Sequence, residues 1–488
     1  MPAPDIRYPV PGLMNESTQK QLLEVLRETP RTHTYADKRT GRIGIRVSPS
    51  GYLALAALLT FVAVVLLRTK NDLAALTIVT VTWVLTPILV ATDRLYFAGE
   101  TLFRSGLVPL VSRVVQGRRP ELQVADVESV EVATVRTLRR GGSVRYRYSV
   151  EIAGRGHSFV FASGGKKFRQ IAQALLPLVA DQKLDARATE LRDYLCDAKE
   201  LNKQLATLEI ATDAVLGAMD ERARRHIEKQ DAMTAPSTVE DEGRAKSLAQ
   251  AGNRLRVAGR LRESGEAFRR ALHFAPRDAW LLYQYARLLR SQASAFGNAH
   301  LLSRACAALK LSSLRGSEDA RLLERVGESF FEFGQPGRAA KTLRRALDLD
   351  RNSYRASTAL AEIALSEGKL AHVIHHYRDA SRVAPDAASA RMARREADYY
   401  ARLNDDDDYL TAELRRMNWL EGAGRIQQFS ARVSFAALFV ALAGSFLDQI
   451  VAGVGWAVAS SSIIGWSGSL LLRKILARRR EMESAGSA

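Results

Sequence analysis

Hydrophobic and polar positions follow several rhythms along this chain. Unbroken apolar runs come first: Tyr52 to Leu67 and Leu73 to Ala91 stand on either side of the polar turn Arg68-Thr69-Lys70-Asn71-Asp72. A helix rises about 1.5 Å per residue and a hydrocarbon core is about 30 Å thick, so the pair predicts a membrane hairpin over 48–92. A second pair, Val433 to Leu447 and Ile450 to Leu472, meets at Asp448-Gln449 and predicts a hairpin over 431–472. Asp448 is read at the tip, where water is available, with an intramembrane carboxylate as the alternative. Gly453, Gly455, Ser460 to Ser462, Gly465 and Gly468 give the last helix a small-residue surface. Packing drives helix association in lipid, so a close helix contact is expected on 450–472, with a membrane-protein partner or a second copy among the candidates. The polar segment ahead of Tyr52 and the lack of a small-residue cleavage site argue against a secretory signal.

Between the hairpins the rhythm changes to period two. Arg94 to Gly106 alternates and turns, Val130, Val132 and Thr134 share one face of a strand, and Arg145 to Ala162 is two β-rich runs around Ala153-Gly154-Arg155-Gly156. A compact antiparallel sheet follows, and Phe168, Ile171, Ala172, Leu175 and Leu176 fall on one face of a helix that closes it, all within 93–181. Asp185 to about Lys229 favours helix, but Leu191, Leu195, Leu201, Leu205 and Leu208 drift around its surface. Both a coiled-coil spacer and a helix packing back on a neighbour fit that pattern. Met233 to Gly243 is the clearest linker.

The third rhythm is a repeat. A shift of 34 residues carries Gly327, Gly334, Ala339, Leu343, Ala346 and Arg351 onto Ala361, Gly368, Val373, Tyr377, Ala380 and Pro385. Gly252, Gly259, Ser264, Phe268, Ala271 and Pro276 share the spacing earlier, and one further repeat with extra residues at its turn, Ser291 to His300, fits between. This resembles the tetratricopeptide repeat, in which small residues let two antiparallel helices approach closely and Pro ends the second. About four repeats and a capping helix are expected over 241–403. The resemblance implies a concave face, lined by the first helix of each repeat, that holds a protein partner. It would place there Lys246, Asn253 and Arg256, then Trp280, Tyr283, Arg287 and Arg290, then Arg321, Glu324, Glu328 and Glu332, then Arg355, Thr358 and Glu362. Ala249 stands where the carboxylate-clamp version needs Lys, so that class of C-terminal tail is not expected.

The order of a two-helix hairpin, short strands and one closing helix resembles the bacterial pleckstrin-homology-like membrane proteins, with Glu121 to Val132 similar to a recurrent strand entry of that family. Arg139, Arg140, Arg145 and Arg147, with Lys166 and Lys167 at a helix start, are candidates for anionic lipid headgroups. Alternating Arg and Tyr also fit the wet and dry faces of an ordinary strand.

Composition narrows the reading. The formal charge is +18, with 47% hydrophobic and 25% charged residues, which excludes a wholly disordered chain. Basic residues cluster beside the apolar pairs, at Lys38 to Arg46, Arg415 to Arg432 and Arg473 to Arg480. That asymmetry predicts an inner-membrane protein with both termini and all soluble parts cytoplasmic, and accounts for much of the charge without nucleic acid, which is not an expected partner. Cys196 and Cys306 form no framework, in keeping with a reducing compartment. Ser163 to Lys167 lacks the spacing of a phosphate loop. His372 and His376 lie one helical turn apart without a completing ligand, and Asn404 to Leu410 lacks the twelfth-position Glu of a calcium loop. No metal, cofactor or catalytic residue is expected, and no enzyme.

The expected fold class is therefore an α+β membrane protein, mainly α. Segment 1–47 is followed by hairpin 48–92, a pleckstrin-homology-like β domain at 93–181, a spacer and linker at 182–240, and a solenoid at 241–403. Connector 404–430, hairpin 431–472 and a basic tail at 473–488 complete it. The expected function is a membrane-anchored scaffold that recruits proteins through its repeats, for an envelope-assembly, secretion or polysaccharide-export complex. The alternatives are an accessory subunit packing on a transporter or synthase, and a nucleic-acid-binding membrane protein.

Overall fold

The computed structural model describes residues 42–47, 50–107, 110, 121–138, 144–163, 165–208, 210 and 239–477. Its first strand, β1 (Ile43–Arg46), precedes the first apolar pair, α1 (Ser50–Arg68) and α2 (Asp72–Thr92). After α2 come β2 (Arg94–Ala98), β3 (Thr101–Ser105) and β4 (Glu121–Gln123), and these join β1 in an antiparallel sheet of order β1-β2-β3-β4. Ile43 pairs with Phe97 and Arg46 with Arg94. The hairpin is thus nested inside the sheet, and the β domain takes in an edge strand from the segment ahead of it. Asp93, buried at the end of α2, accepts from Arg104 Nε at 2.8 Å and from the Tyr52 hydroxyl, so one carboxylate ties α1, α2 and β3 together.

A second antiparallel sheet holds β5 (Ser129–Leu138), β6 (Val144–Gly154) and β7 (His157–Ala162). Val130 pairs with Ile152, which pairs with Phe159, and these inward positions share one core with Leu95, Phe97, Leu102 and Leu122 of the first sheet. Helix α3 (Lys166–Leu175) buries Phe168, Ile171, Ala172 and Leu175 against that core, the face its spacing predicts.

The chain then continues into α4 (Ala186–Tyr194) and α5 (Ala198–Thr207). Leu184, Ala188 and Leu191 enter the sheet core, whereas Leu201 and Leu205 pack with Leu248, Leu255 and Phe268 of the first repeat. The drifting leucines therefore serve two different cores, which is why they follow no single heptad.

Four antiparallel helix pairs follow, the construction of a tetratricopeptide-like solenoid: α6 (Val239–Ala258) with α7 (Leu261–Phe274), α8 (Ala279–Phe296) with α9 (Ala299–Arg315), α10 (Ala320–Glu332) with α11 (Pro336–Leu349), and α12 (Tyr354–Ser366) with α13 (Leu370–Arg382). Helix α14 (Ala387–Asp405) closes the stack. Helix α6 already begins at Val239, inside the expected linker, whose residues 233–238 lie outside the described ones. Gly259, Gly334 and Gly368 end the first helices of their pairs with φ of +85°, +75° and +73°, a left-handed turn that glycine enters without steric cost. A Cβ at Gly252 would stand 2.8 Å from the Phe268 ring, and one at Gly327 2.6 Å from Leu343 Cγ, so these glycines set how closely each pair packs. The extra residues of the second repeat form no loop: they lengthen α8 and α9 up to the turn at Gly297.

Asp406 caps the next helix by accepting from Tyr409 N at 3.0 Å, and α15 (Asp407–Leu447) then runs through both the expected connector and the apolar stretch as one helix. It turns at Asp448, whose Oδ1 accepts from Ile450 N at 2.9 Å, into α16 (Gln449–Ala477). By length and composition three helical segments are apolar enough to cross a membrane: Asp72–Thr92, Asp407–Phe446 and Gln449–Arg473; α1 contains the shorter apolar stretch Leu55–Val64. Helix α16 packs against both α15 and α1. Built Cβ atoms at Gly455 and Gly444 would meet the backbone of Ala441 and Ala452 at 2.5 and 2.6 Å, so part of the small-residue surface is used inside the hairpin.

Candidate functional site

The inner face of the solenoid is filled by the chain's own β domain and α4. One arginine from the first helix of each repeat reaches that filling: Arg256, Arg287, Arg325 and Arg355. Arg256 Nη1 donates to Glu190 Oε2 at 2.8 Å and Arg287 Nε to Glu190 Oε1 at 2.7 Å, so the carboxylate of α4 bridges two repeats. Arg325 Nη2 donates to Asp181 Oδ2 at 3.0 Å. Arg355 reads backbone instead, donating to the carbonyls of Asp181 at 2.8 Å and Leu184 at 3.1 Å. Side chain and main chain of 181–190 are thus held as a groove holds a peptide.

Local structure presents this segment. Val130 O accepts from Asp185 N at 3.1 Å, and the Asp185 carboxylate accepts from Val132 N at 3.1 Å and from Ala188 N, which caps α4 and fixes it to β5. Burial outweighs those two donors and pushes the Asp185 carboxyl up to about 6. Burial acts the same way on Glu190, but the two guanidinium groups overcome it and hold the carboxyl at about 2. Glu190 has two guanidinium groups on its oxygens, whereas Asp185 takes its hydrogen bonds from backbone N–H groups alone, so their pKa values part in opposite directions.

Further contacts run the length of the groove. At one end Tyr148 donates to Val257 O at 2.7 Å, and Val144 N faces Gly259 O at 3.4 Å. At the other, Arg395 of α14 meets Glu128 at 2.9 Å and Lys183 meets Asp386 at 3.1 Å.

The concave-face residues expected from the repeat pattern divide accordingly. Asn253 is buried, donating to Gln284 Oε1 at 3.0 Å and accepting from Arg256 at 3.2 Å. Tyr283 lies half-buried, Glu332 pairs with Arg287, and Glu328 takes Arg355 Nη2 at 3.0 Å. Glu324 accepts from the Ser353 hydroxyl, and Thr358 donates to the Arg355 carbonyl at 3.0 Å. Arg290 stands over the Phe333 ring, 5.6 Å from its centre. Lys246, Arg321 and Glu362 remain exposed, and Trp280 is spent on Asp319, to which its Nε1 donates at 2.9 Å. Arg325, Glu190 and Asp181 were not among the expected residues. Arg325 was legible as the arginine four residues beyond Arg321 on the same helix; the two acids were not, because nothing in a repeat pattern says what lies in the groove.

Beside Glu190 the groove opens into a cavity of about 380 Å³ whose lining includes Arg136 and Tyr146 of the sheet, Arg187 of α4, and Arg290, Ser291 and Ser294 of α8. Of the residues expected to meet lipid, Arg145 and Arg147 are exposed on β6 and Lys166 and Lys167 are exposed in the first turn of α3; Arg139 and Arg140 lie outside the described residues. On α13 the histidine pattern resolves differently from the His372 and His376 spacing: His375, His376 and Asp379 bring potential ligand atoms within 4.8 Å of one another, with Asp379 shared by His375 and Arg382 at 3.2 Å each.

No family model matches the chain, and no curated protein matches it. Solved structures similar to it include TTC0263, a thermophilic TPR protein of Thermus thermophilus, at 20% identity and TM-score 0.28 over 43% of this chain and 98% of that one. YrrB, a TPR protein with an unusual peptide-binding site, matches at 15% identity and TM-score 0.26 over 43% and 98%, and Pseudomonas aeruginosa PilF at 17% and 0.26 over 47% and 100%. Matches of this size assign no ligand or activity to the chain.

Proposed function

We propose that this chain is a membrane-anchored scaffold whose repeat domain recruits a protein partner at the cytoplasmic face of a bacterial inner membrane. The two hairpins, 48–92 and 431–472, are the anchor, the β domain is a pleckstrin-homology-like module, and the solenoid 241–403 is the recruiting surface. The anchor reading is supported by large apolar side chains left bare on the long helices, among them Leu73 at 83%, Phe435 at 80% and Phe446 at 89% exposed, a pattern that water does not tolerate over a whole helix pair.

The observation that carries the recruiting role is the arginine ladder, because it grips the carboxylates of Asp181 and Glu190 and the main-chain carbonyls of Asp181 and Leu184 on a short helical segment, the chemistry of an acidic peptide site. In this conformation that site is held by 181–190. A partner with its own acidic segment competes for Arg287 and Arg355, and α4 is the element it displaces. Arg145, Arg147, Lys166 and Lys167 face solvent as the headgroup-binding set.

The test uses the full chain in mild detergent. An acidic partner recovered with wild type should be enriched by the double change Asp181→Ala with Glu190→Ala, which removes the two carboxylates that occupy the arginines, and lost on Arg287→Glu with Arg355→Glu. Equal recovery across all three would sink the groove reading. Salt-sensitive binding of RNA or DNA by the same preparations would favour a nucleic-acid role instead.

A further inference from the structure

The cavity beside Glu190 borders the groove and shares Arg256, Arg287 and α4 with it, and its charges do not balance. Five arginines line it against two glutamates. Both acids are spent: Glu190 is shared by Arg256 and Arg287, and Glu332 pairs with Arg287. Among the described residues, Arg136, Arg187 and Arg290 have no carboxylate within ion-pair distance.

These three guanidinium groups come from three separate elements. Arg136 is on β5 and reaches the Ser294 hydroxyl, Arg187 is in the first turn of α4, and Arg290 is on α8. Tyr146, whose hydroxyl has no hydrogen-bond partner among the described residues, lines the same space. Converging cations of like sign repel unless something between them is negative. A planar guanidinium presents paired N–H donors that fit two oxygens of one phosphoryl group, and a cavity of about 380 Å³ falls within the range of small-ligand sites.

We propose that this cavity binds a phosphoryl group carrying at least two negative charges, held by Arg136, Arg187 and Arg290 with Tyr146 donating a further hydrogen bond. The bound anion bridges β5, α4 and α8, so it locks the β domain onto the solenoid. Without it, the three cations loosen the same contact. The phosphoryl group belongs to a small solute or to a lipid headgroup, and these sources separate experimentally.

The probe for the first is inorganic pyrophosphate, titrated by calorimetry against the full chain in a neutral detergent. Saturable one-to-one binding is expected, weakened about tenfold or more by Arg187→Ala and again by Arg290→Ala, since each removes a charge-assisted contact. Arg262→Ala, an exposed arginine outside the cavity, should leave it unchanged. The second arm reconstitutes the chain into phosphatidylcholine vesicles with or without phosphatidic acid and follows thermal unfolding. A stabilisation by phosphatidic acid that Arg187→Ala with Arg290→Ala abolishes, with no pyrophosphate binding, assigns the phosphoryl group to lipid. Binding in neither arm, or binding that the double variant leaves intact, overturns the proposal. Because no recruited protein enters either arm, failure here leaves the scaffold reading standing, and failure of the scaffold reading leaves this one.

Discussion

Arg256 Nη1 stands 2.8 Å from Glu190 Oε2, across 66 positions of sequence, and both side chains are largely withdrawn from water, at 6% and 18% exposure. With Arg287 on the other oxygen, this contact fastens α4 to two repeats at once. Removing one partner of such a set costs more than the set contributes, because it strands the remaining charges. Glu190→Ala is expected to weaken the docking of α4 by about 3 kcal/mol. Hydrogen exchange should quicken through 186–194 and stay unchanged in α15 and α16. Unchanged protection in α4 would show that the ion pairs are incidental.

The same carboxylate makes docking sensitive to acid. Its folded value of about 2 lies below the ordinary 4.5, so the undocked chain binds more protons in between. The Glu190 contribution is therefore fully present above about pH 4.5 and is lost as pH falls toward 2. Asp185 acts in the opposite sense, since its value is raised from 3.8 to about 6 and its ionisation weakens docking as pH rises through that interval. Protection of α4, followed by exchange between pH 2.5 and 7, should rise in wild type as pH falls from 7 to about 4.5, where Asp185 takes up its proton, and fall again below about 4.5 as the Glu190 contribution is lost. In Glu190→Gln the acid-side fall should vanish, leaving protection that only decreases as pH rises. A Glu190→Gln curve parallel to wild type would contradict the assignment.

The turn glycines separate a local cost from a long-range one. Gly334 has φ of +75° and open space around its Cβ position, so Gly334→Ala costs only the left-handed conformation, about 1 kcal/mol. Gly259 has φ of +85°, and a Cβ there would lie 1.9 Å from the Val144 carbonyl oxygen of β6. Gly259→Ala must push the sheet off the first repeat, and a loss of about 3 kcal/mol or more is expected. Thermal unfolding of the two variants in one detergent checks the difference. Equal losses would mean that β6 does not rest on Gly259.

The repeat was legible in the sequence because its signals are local. Gly259, Gly334 and Gly368 recur where a left-handed turn is required, and Phe268, Leu343 and Tyr377 recur where a helix pair needs filling. Sheet and closing helix were legible for the same reason, through Val130, Val132 and the Phe168 to Leu176 face. Ile43 to Arg46 was not, because its partner Arg94 to Phe97 lies beyond an entire apolar helix pair and four residues carry little pattern. The groove residues were placed on the right helices by the repeat, yet Arg256, Arg287 and Arg355 resembled solvated charges until Glu190 and the carbonyl of Asp181 were found opposite them. A pairing between residues 66 or 174 positions apart leaves no trace in periodicity.

The second hairpin offers a test inside the apolar helices. A Cβ built at Gly465 lies 3.8 Å from Ser430 Cβ, the usual separation across a disulfide. With Cys196 and Cys306 changed to Ser, the pair Ser430→Cys and Gly465→Cys should oxidise readily within one chain. Gly455 sits against Ala441 backbone, whereas Gly453 has open space. Gly455→Ile should therefore spread α15 from α16 and lower the crosslink yield severalfold, while Gly453→Ile should leave it near the parent value, because only the first side chain would meet the backbone of the facing helix. Yield is read as the gel-shifted fraction after mild oxidation in detergent. Equal yields in the two isoleucine variants would overturn the placement of Gly455 between the helices, and a crosslink between two chains would reassign the small-residue surface to self-association.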